Sequence, residues 1–169
     1  SLIFWNYLKI KNNNKISNKI NSIIPFIFLI LVFLQIVIGA FVSGMDAGKI
    51  YNSWPLMGTN YFPDDNSLIN LFKLSVFSEP SLVQFIHRNL AYVIGFSYLL
   101  IFYKIYKNKM YDLYRCINIL GTFIIIQIIL GILTVTSGAQ LFIASMHQIS
   151  SIFLVTTCIY FLFINTKSN

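Results

Sequence analysis

The sequence predicts an all-α polytopic membrane protein, a bundle of four transmembrane helices, and three observations carry that reading. Of its 169 residues 57% are hydrophobic and 10% charged, where soluble domains carry about a quarter charged residues. Mean hydropathy is +0.73. The apolar residues gather into four runs, 23–42, 82–106, 114–136 and 141–164, each as long as the ~20 residues that cross a ~30 Å hydrocarbon core. A bilayer interior offers no partner to stray backbone groups, and no run alternates as a barrel strand does, so the runs are read as helices. This composition excludes a soluble enzyme and a disordered tail, and the length excludes a large transporter.

The first run follows Lys9, Lys11, Lys15 and Lys19, an arrangement shared with signal peptides. It exceeds the roughly 7–15 residues of a signal h-region and has no A-x-A-like exit, so it reads as a retained span. The connector after the second run holds Lys107, Lys109 and Arg115, with Lys104 just inside the helix, and Lys167 follows the fourth. On the other side Lys49 and Lys73 are outnumbered by Asp46, Asp64, Asp65 and Glu79. The positive-inside rule then puts both termini on the cytoplasmic side of a bacterial plasma membrane, or on the matrix side of a mitochondrial inner membrane. The loop 44–81, with Pro55, Pro63 and Pro80, lies outside. The excess of Lys+Arg 12 over Asp+Glu 5 is thus topological and points to no nucleic acid. Cys116 and Cys158 fall in or beside apolar runs and imply no extramembrane disulfide. The chain opens on Ser1 and not Met, so residues 1–21 read as the end of a preceding helix and its linker, and 22–169 as the bundle.

A short internal repeat runs through the bundle. Gln35-Ile-Val-Ile-Gly39 closes the first span with Ser43-Gly44 after it, and Gln127-Ile-Ile-Leu-Gly131 closes the third with Ser137-Gly138 after it. Each unit is a span with Gln-x-x-x-Gly, an outer loop, then a span carrying one histidine. The glycines alone are equally explained by close helix packing.

His87 and His147 are the two histidines of the chain. Each stands about six residues into its span from the outer end, or roughly 9 Å at 1.5 Å per residue. Ionisable groups inside a membrane are costly and face a bundle interior or polar cavity, where they pair or bind something. Zinc would want three or four ligands, and no third His, Cys or embedded carboxylate is available at that level. A haem needs two axial donors, one per face, so bis-histidine ligation fits the count. Gly39, Gly95 and Gly131 would leave room for a flat macrocycle. Met146, beside His147, points elsewhere on the helix. Arg88 either snorkels to a headgroup or pairs with a haem propionate. Gln84 either bonds between helices or orients a ligand, and Asp46, Asn52 and Trp54 belong to a loop that is either a cap over the site or a wetted connector.

The stretch GAFVSGMDAGKIYNSWPLM at 39–57, with VQFIHR at 83–88, QIILG at 127–131 and MHQ at 146–148, closely resembles the C-terminal half of heme A synthase, the membrane enzyme family of cytochrome oxidase assembly. The likeness runs from about residue 22 to the end, and its specific parts are D-A-G-x-x-Y-N-x-x-P-x-M and Q-F-x-H-R. It implies one of two pseudo-symmetric four-helix bundles, each with a histidine pair, the first holding the haem being oxidised and the second a b-type haem. It implies oxidation of a haem O methyl group to the formyl group of haem A, with water as the oxygen source. His87 and His147 would be the iron ligands of haem b, with Arg88 beside the cofactor. The partners would be the N-terminal half of the same enzyme, haem O as its substrate, the lipid bilayer, and haem O synthase and cytochrome oxidase.

The departures from the family pattern bear on chemistry. The reactive half of the family has Glu in E-x-x-H, whereas here the position is Gln84, whose amide cannot act as a general base. No Asp or Glu lies deep in a span, so no catalytic residue is assigned and the chain alone is expected not to make haem A. The cysteine pairs that some branches carry in the outer loops have no counterpart here. Two other functions use the same features: a stand-alone b-type cytochrome subunit in electron transfer, and a non-catalytic oxidase assembly factor whose histidines only hydrogen-bond.

Overall fold

The computed structural model describes residues 2–11 and 19–166, so Lys15 and Lys167 of the orientation argument lie outside the described residues. A short helix α1 (Leu2–Lys11) precedes α2 (Ile23–Gly44), α3 (Pro80–Lys107), α4 (Tyr111–Thr136) and α5 (Leu141–Thr166). The last four are long and apolar enough to cross a membrane, and each extends the expected span by less than a turn. The added residues are helix-end residues. Pro80 opens α3 with its preset φ. Lys104 and Lys107 in its last turn, and Asp112 in the first turn of α4, complement the helix dipoles.

The four spans close a ring in which α2 packs on α3, α3 on α4, α4 on α5 and α5 on α2. Helices α3 and α5 are therefore diagonal. The half of the ring away from the long loop, here called the inner half, is filled by apolar side chains, including Phe28, Ile101, Ile105, Leu113, Ile117, Leu120 and Phe161. At the inner end Asn165 of α5 is fully buried. It accepts from Ile20 N at 2.9 Å and donates to Ile20 O at 2.9 Å, which ties the chain before α2 to the end of α5. Trp5 of α1 meets Phe163 edge-on with ring centroids 5.0 Å apart. Cys116 and Cys158 are buried and free.

The long loop between α2 and α3 is ordered by packing on α3. It runs through three short 3-10 helices, Ala47–Lys49, Leu68–Phe72 and Leu74–Ser78. Met57 and Asn60 pair across a tight turn, Asp64 accepts from Thr59 and Asn60, and Tyr61 donates to Asn89 at 2.6 Å. Phe62 packs edge-on against Phe85 at 5.0 Å. Apolar side chains left exposed on the spans, among them Phe33, Val37, Phe96, Leu99, Ile129 and Ile152, suit lipid, where exposure of apolar surface carries no penalty.

Candidate functional site

The two histidines stand at matching levels on the diagonal helices. His87 is about two turns past the start of α3 and His147 about as far past the start of α5. Both line one cavity of about 960 Å³ in the half of the bundle nearer the long loop. Val32, Ile94, Ile124 and Leu154, one from each span, line it and are buried. They form its floor, and the packed inner half lies beneath them.

Each imidazole is cradled by the neighbouring helix in the same manner. Gln35 of α2 donates from Nε2 to the His87 carbonyl oxygen at 3.0 Å, and the same nitrogen lies 3.2 Å from ring Nε2. Gln127 of α4 donates to the His147 carbonyl oxygen at 3.1 Å and also meets Ser150 Oγ. One turn further along, a Cβ at Gly39 would stand 3.0 Å from His87 Cε1, and one at Gly131 would stand 3.3 Å from His147 Cε1. The i, i+4 spacing puts amide and bare Cα on one helix face. The two sequence matches that mark the repeat thus occupy equivalent places, and their glycines seat imidazoles instead of serving only to bring helices together.

Both rings keep unmet bonding capacity, because Nδ1 of His87 and Nδ1 of His147 are buried without a hydrogen-bond partner. Leaving a buried polar group so costs about 1–3 kcal/mol. Among the described residues no three His, Cys, Asp or Glu side chains gather to hold a metal ion. The donor set is two imidazoles, which suits an iron whose remaining four positions come from a porphyrin.

Arg88 does not snorkel. It is 8% exposed and its guanidinium donates to three loop carbonyls, Tyr51 at 2.8 Å, Ser53 at 2.9 Å and Leu56 at 3.2 Å. Gln84, one turn before it on the same face, donates to Tyr51 O at 3.0 Å. Together they clamp the segment 51–56 over α3, while Arg88 Nε, which lacks a partner, belongs to a side chain that lines the cavity. Trp54 donates from its indole to Tyr92 at 3.0 Å and lines the cavity with Asp46, Gly48 and Lys49. The loop is therefore a cap. Asp46 and Lys49 form an exposed ion pair at 2.8 Å on its rim. Asn52 reaches the turn after α4, where a Cβ on Gly138 would lie 3.0 Å from its Nδ2.

One expectation is corrected by position and one is met. Gly95 does not line the cavity, and the space around its Cα is open. At eight residues past His87 it is rotated about 80° off the histidine's face, whereas Ile94, at i+7, falls on it. Met146 is 44% exposed and outside the cavity, as its place beside His147 implies. Missed in the sequence were the roles of Gln35 and Gln127 as holders of the histidine turns, and of Tyr92 as the partner of Trp54. The glutamines carried a readable signal, since each stands four residues before a glycine.

Comparison with known proteins identifies the family. The profile of a family described as cytochrome oxidase assembly protein matches residues 1–159. The heme A synthase of Pelagibacter ubique is 42% identical over 168 residues, covering 99% of this chain and 49% of that protein. The heme A synthase of Rickettsia prowazekii is 35% identical over 152 residues, 89% of this chain and 45% of its own. That of Wolbachia pipientis is 38% identical over 136 residues, 80% and 37% respectively. The chain spans about half the length, or less, of these curated relatives. No solved structure matches it. A profile that takes in three spans and most of the fourth, and relatives of one name over most of the chain, place this integral membrane chain in the cytochrome oxidase assembly protein family, alongside the heme A synthases.

Proposed function

We propose that the chain is the C-terminal, haem b-binding half of a heme A synthase, the enzyme that oxidises the methyl group of haem O to the formyl group of haem A. His87 and His147 would be the axial ligands of the b haem and Arg88 would lie beside it. The observation that carries this reading is the pair of like cradles. Two diagonal helices each bring one histidine to a common cavity, and each histidine is seated by a Gln/Gly face of its neighbour. A buried imidazole nitrogen without a hydrogen-bond partner, found on both histidines, is the exception in a packed interior and fits a ring whose bonding is completed by a ligand.

A haem held there supplies a one-electron carrier. The protein's own part is to fix the ligand turns through Gln35 and Gln127, to keep the loop closed through Gln84 and Arg88, and to exclude water from below through the apolar floor. Gln84 cannot accept a proton as a base does, and its amide nitrogen is already committed to Tyr51 O. The one carboxylate among the lining residues, Asp46, is paired with Lys49. Methyl oxidation is accordingly assigned to the N-terminal half of the enzyme, where haem O would bind, and the present chain to electron relay or support. Haem O synthase and cytochrome oxidase are the partners on either side of that reaction. Both termini would face the cytoplasm or matrix.

The test is optical. His87→Ala and His147→Ala should each abolish the low-spin b-type spectrum of the purified protein, and residues 1–169 supplied with haem O should accumulate no haem A. Single variants that keep the parent spectrum would put the ligands elsewhere. Haem A formed in a host without its own synthase would overturn the division of labour.

A further inference from the structure

The segment 68–78 of the outer loop presents more apolar surface than a solvated connector needs. Leu68 and Ile69 are each 64% exposed, Phe72 87%, Leu74 93% and Phe77 45%, while Val76 points inward at 5%. Five large apolar side chains so exposed within one short stretch form a patch of the kind that marks an interaction surface.

Its two larger polar side chains, Asn70 and Lys73, are drawn into one ladder. Lys73 donates to Asn70 Oδ1 at 2.9 Å, Asn70 donates to Asn66 Oδ1 at 3.2 Å, and Asn66 donates to Ser81 Oγ at 2.8 Å. This ladder runs from the middle of the segment to the first turn of α3 and leaves the apolar side chains outside it. Phe77 packs against Phe41 of α2, with ring centroids 5.7 Å apart. Phe41 is 42% exposed and continues the apolar face of α2 that includes Val37 at 52%. The patch is thus continuous with surface that a membrane-spanning helix turns to lipid.

We infer that residues 68–78 lie in the outer interface of the bilayer, as a short monotopic element with Leu68, Ile69, Phe72 and Leu74 among the lipid chains and Lys73 at the headgroups. A segregated apolar face with a basic residue at its edge is the composition of interfacial segments. The ammonium of Lys73 uses one of its three donors on Asn70, which leaves others for phosphate. Through the ladder the same contact fixes the start of α3, the helix that carries His87.

The experiment places an environment-sensitive fluorophore at Phe72→Cys or Leu74→Cys, with Thr59→Cys in the polar turn as the reference. The protein is reconstituted in nanodiscs of phosphatidylcholine and phosphatidylglycerol. Cys116 and Cys158, each 1% exposed, leave the introduced thiol as the reactive one, and both labelled sites are too exposed for the change to disturb packing. The expected result is blue-shifted emission at 72 and 74, quenched by at least half with phosphatidylcholine carrying a shallow nitroxide, and little quenching at 59. Emission at 72 and 74 as red as in water would overturn the inference. So would blue-shifted emission that nitroxide lipid leaves unquenched, which would mean that a protein surface covers the patch.

Discussion

The bare Cα of Gly39 lies against the imidazole of His87, so close that a methyl group in its place would stand 3.0 Å from Cε1. The matching distance from Gly131 to His147 is 3.3 Å. Contacts that tight are met only by displacing the ring, and overpacking of this kind costs about 1–3 kcal/mol. Gly39→Ala should therefore lower the haem content of the purified protein by several-fold and shift its absorption bands, with Gly131→Ala doing the same to a smaller degree. A haemochrome assay on both variants checks the order. Equal, parental haem content in the two would separate the glycines from the ligand seats.

The loop clamp gives a different readout. Arg88 bonds three carbonyls in a geometry that needs the guanidinium fork, and a point charge on a flexible stem does not replace it. Arg88→Lys should accelerate amide exchange at Met57 and Gly58, whose N–H groups bond Asn60 O and Ser53 Oγ within the clamped region. Gln84→Ala, which removes one of the two bonds to Tyr51 O, should accelerate it less. Hydrogen exchange read by mass spectrometry in nanodiscs measures both.

At the opposite end, Asn165→Leu should lower stability without touching the site. The substitution orphans the N–H and C=O of Ile20 in a buried position, at about 1–3 kcal/mol for each group. A lower unfolding temperature with an unchanged haem spectrum is the expected pair of results, measured on the same detergent-solubilised sample.

Orientation is tested by reporter fusions after Lys109 and within 60–67. The first point follows Lys104 and Lys107 at the end of α3, and the second lies in the loop that holds Asp64 and Asp65. The two reporters should fall on opposite sides of the membrane, with the first on the cytoplasmic or matrix side.

Much of this arrangement is readable in one dimension because a membrane enforces long apolar runs. The four spans and the common level of His87 and His147 follow from run length and rise per residue. Facing is legible too, where it is computed: the 100° step per residue separates Ile94, on the cavity floor, from Gly95, which faces away from it. What spacing cannot give is the partner of a group across the fold. Arg88 ends on carbonyls more than thirty positions earlier in the chain, and nothing in the local pattern of α3 distinguishes that from snorkelling. The 3-10 turns of 68–78 escape for a related reason, since their apolar residues have neither the length of a span nor a helical period.

The floor of Val32, Ile94, Ile124 and Leu154 divides the bundle electrically. Above it a cavity with polar groups in its lining reaches the exposed Asp46–Lys49 pair at the outer rim, and below it the helices are packed with hydrocarbon. A transmembrane voltage falls mainly across the dry, poorly polarisable layer, and a full crossing is worth about 2.3 kcal/mol per unit charge at 100 mV. A charge that appears or disappears at the level of His87 and His147 traverses little of that drop. A redox group held there, as the proposed function has it, would take its poise chiefly from its immediate surroundings and would feel little of the membrane voltage.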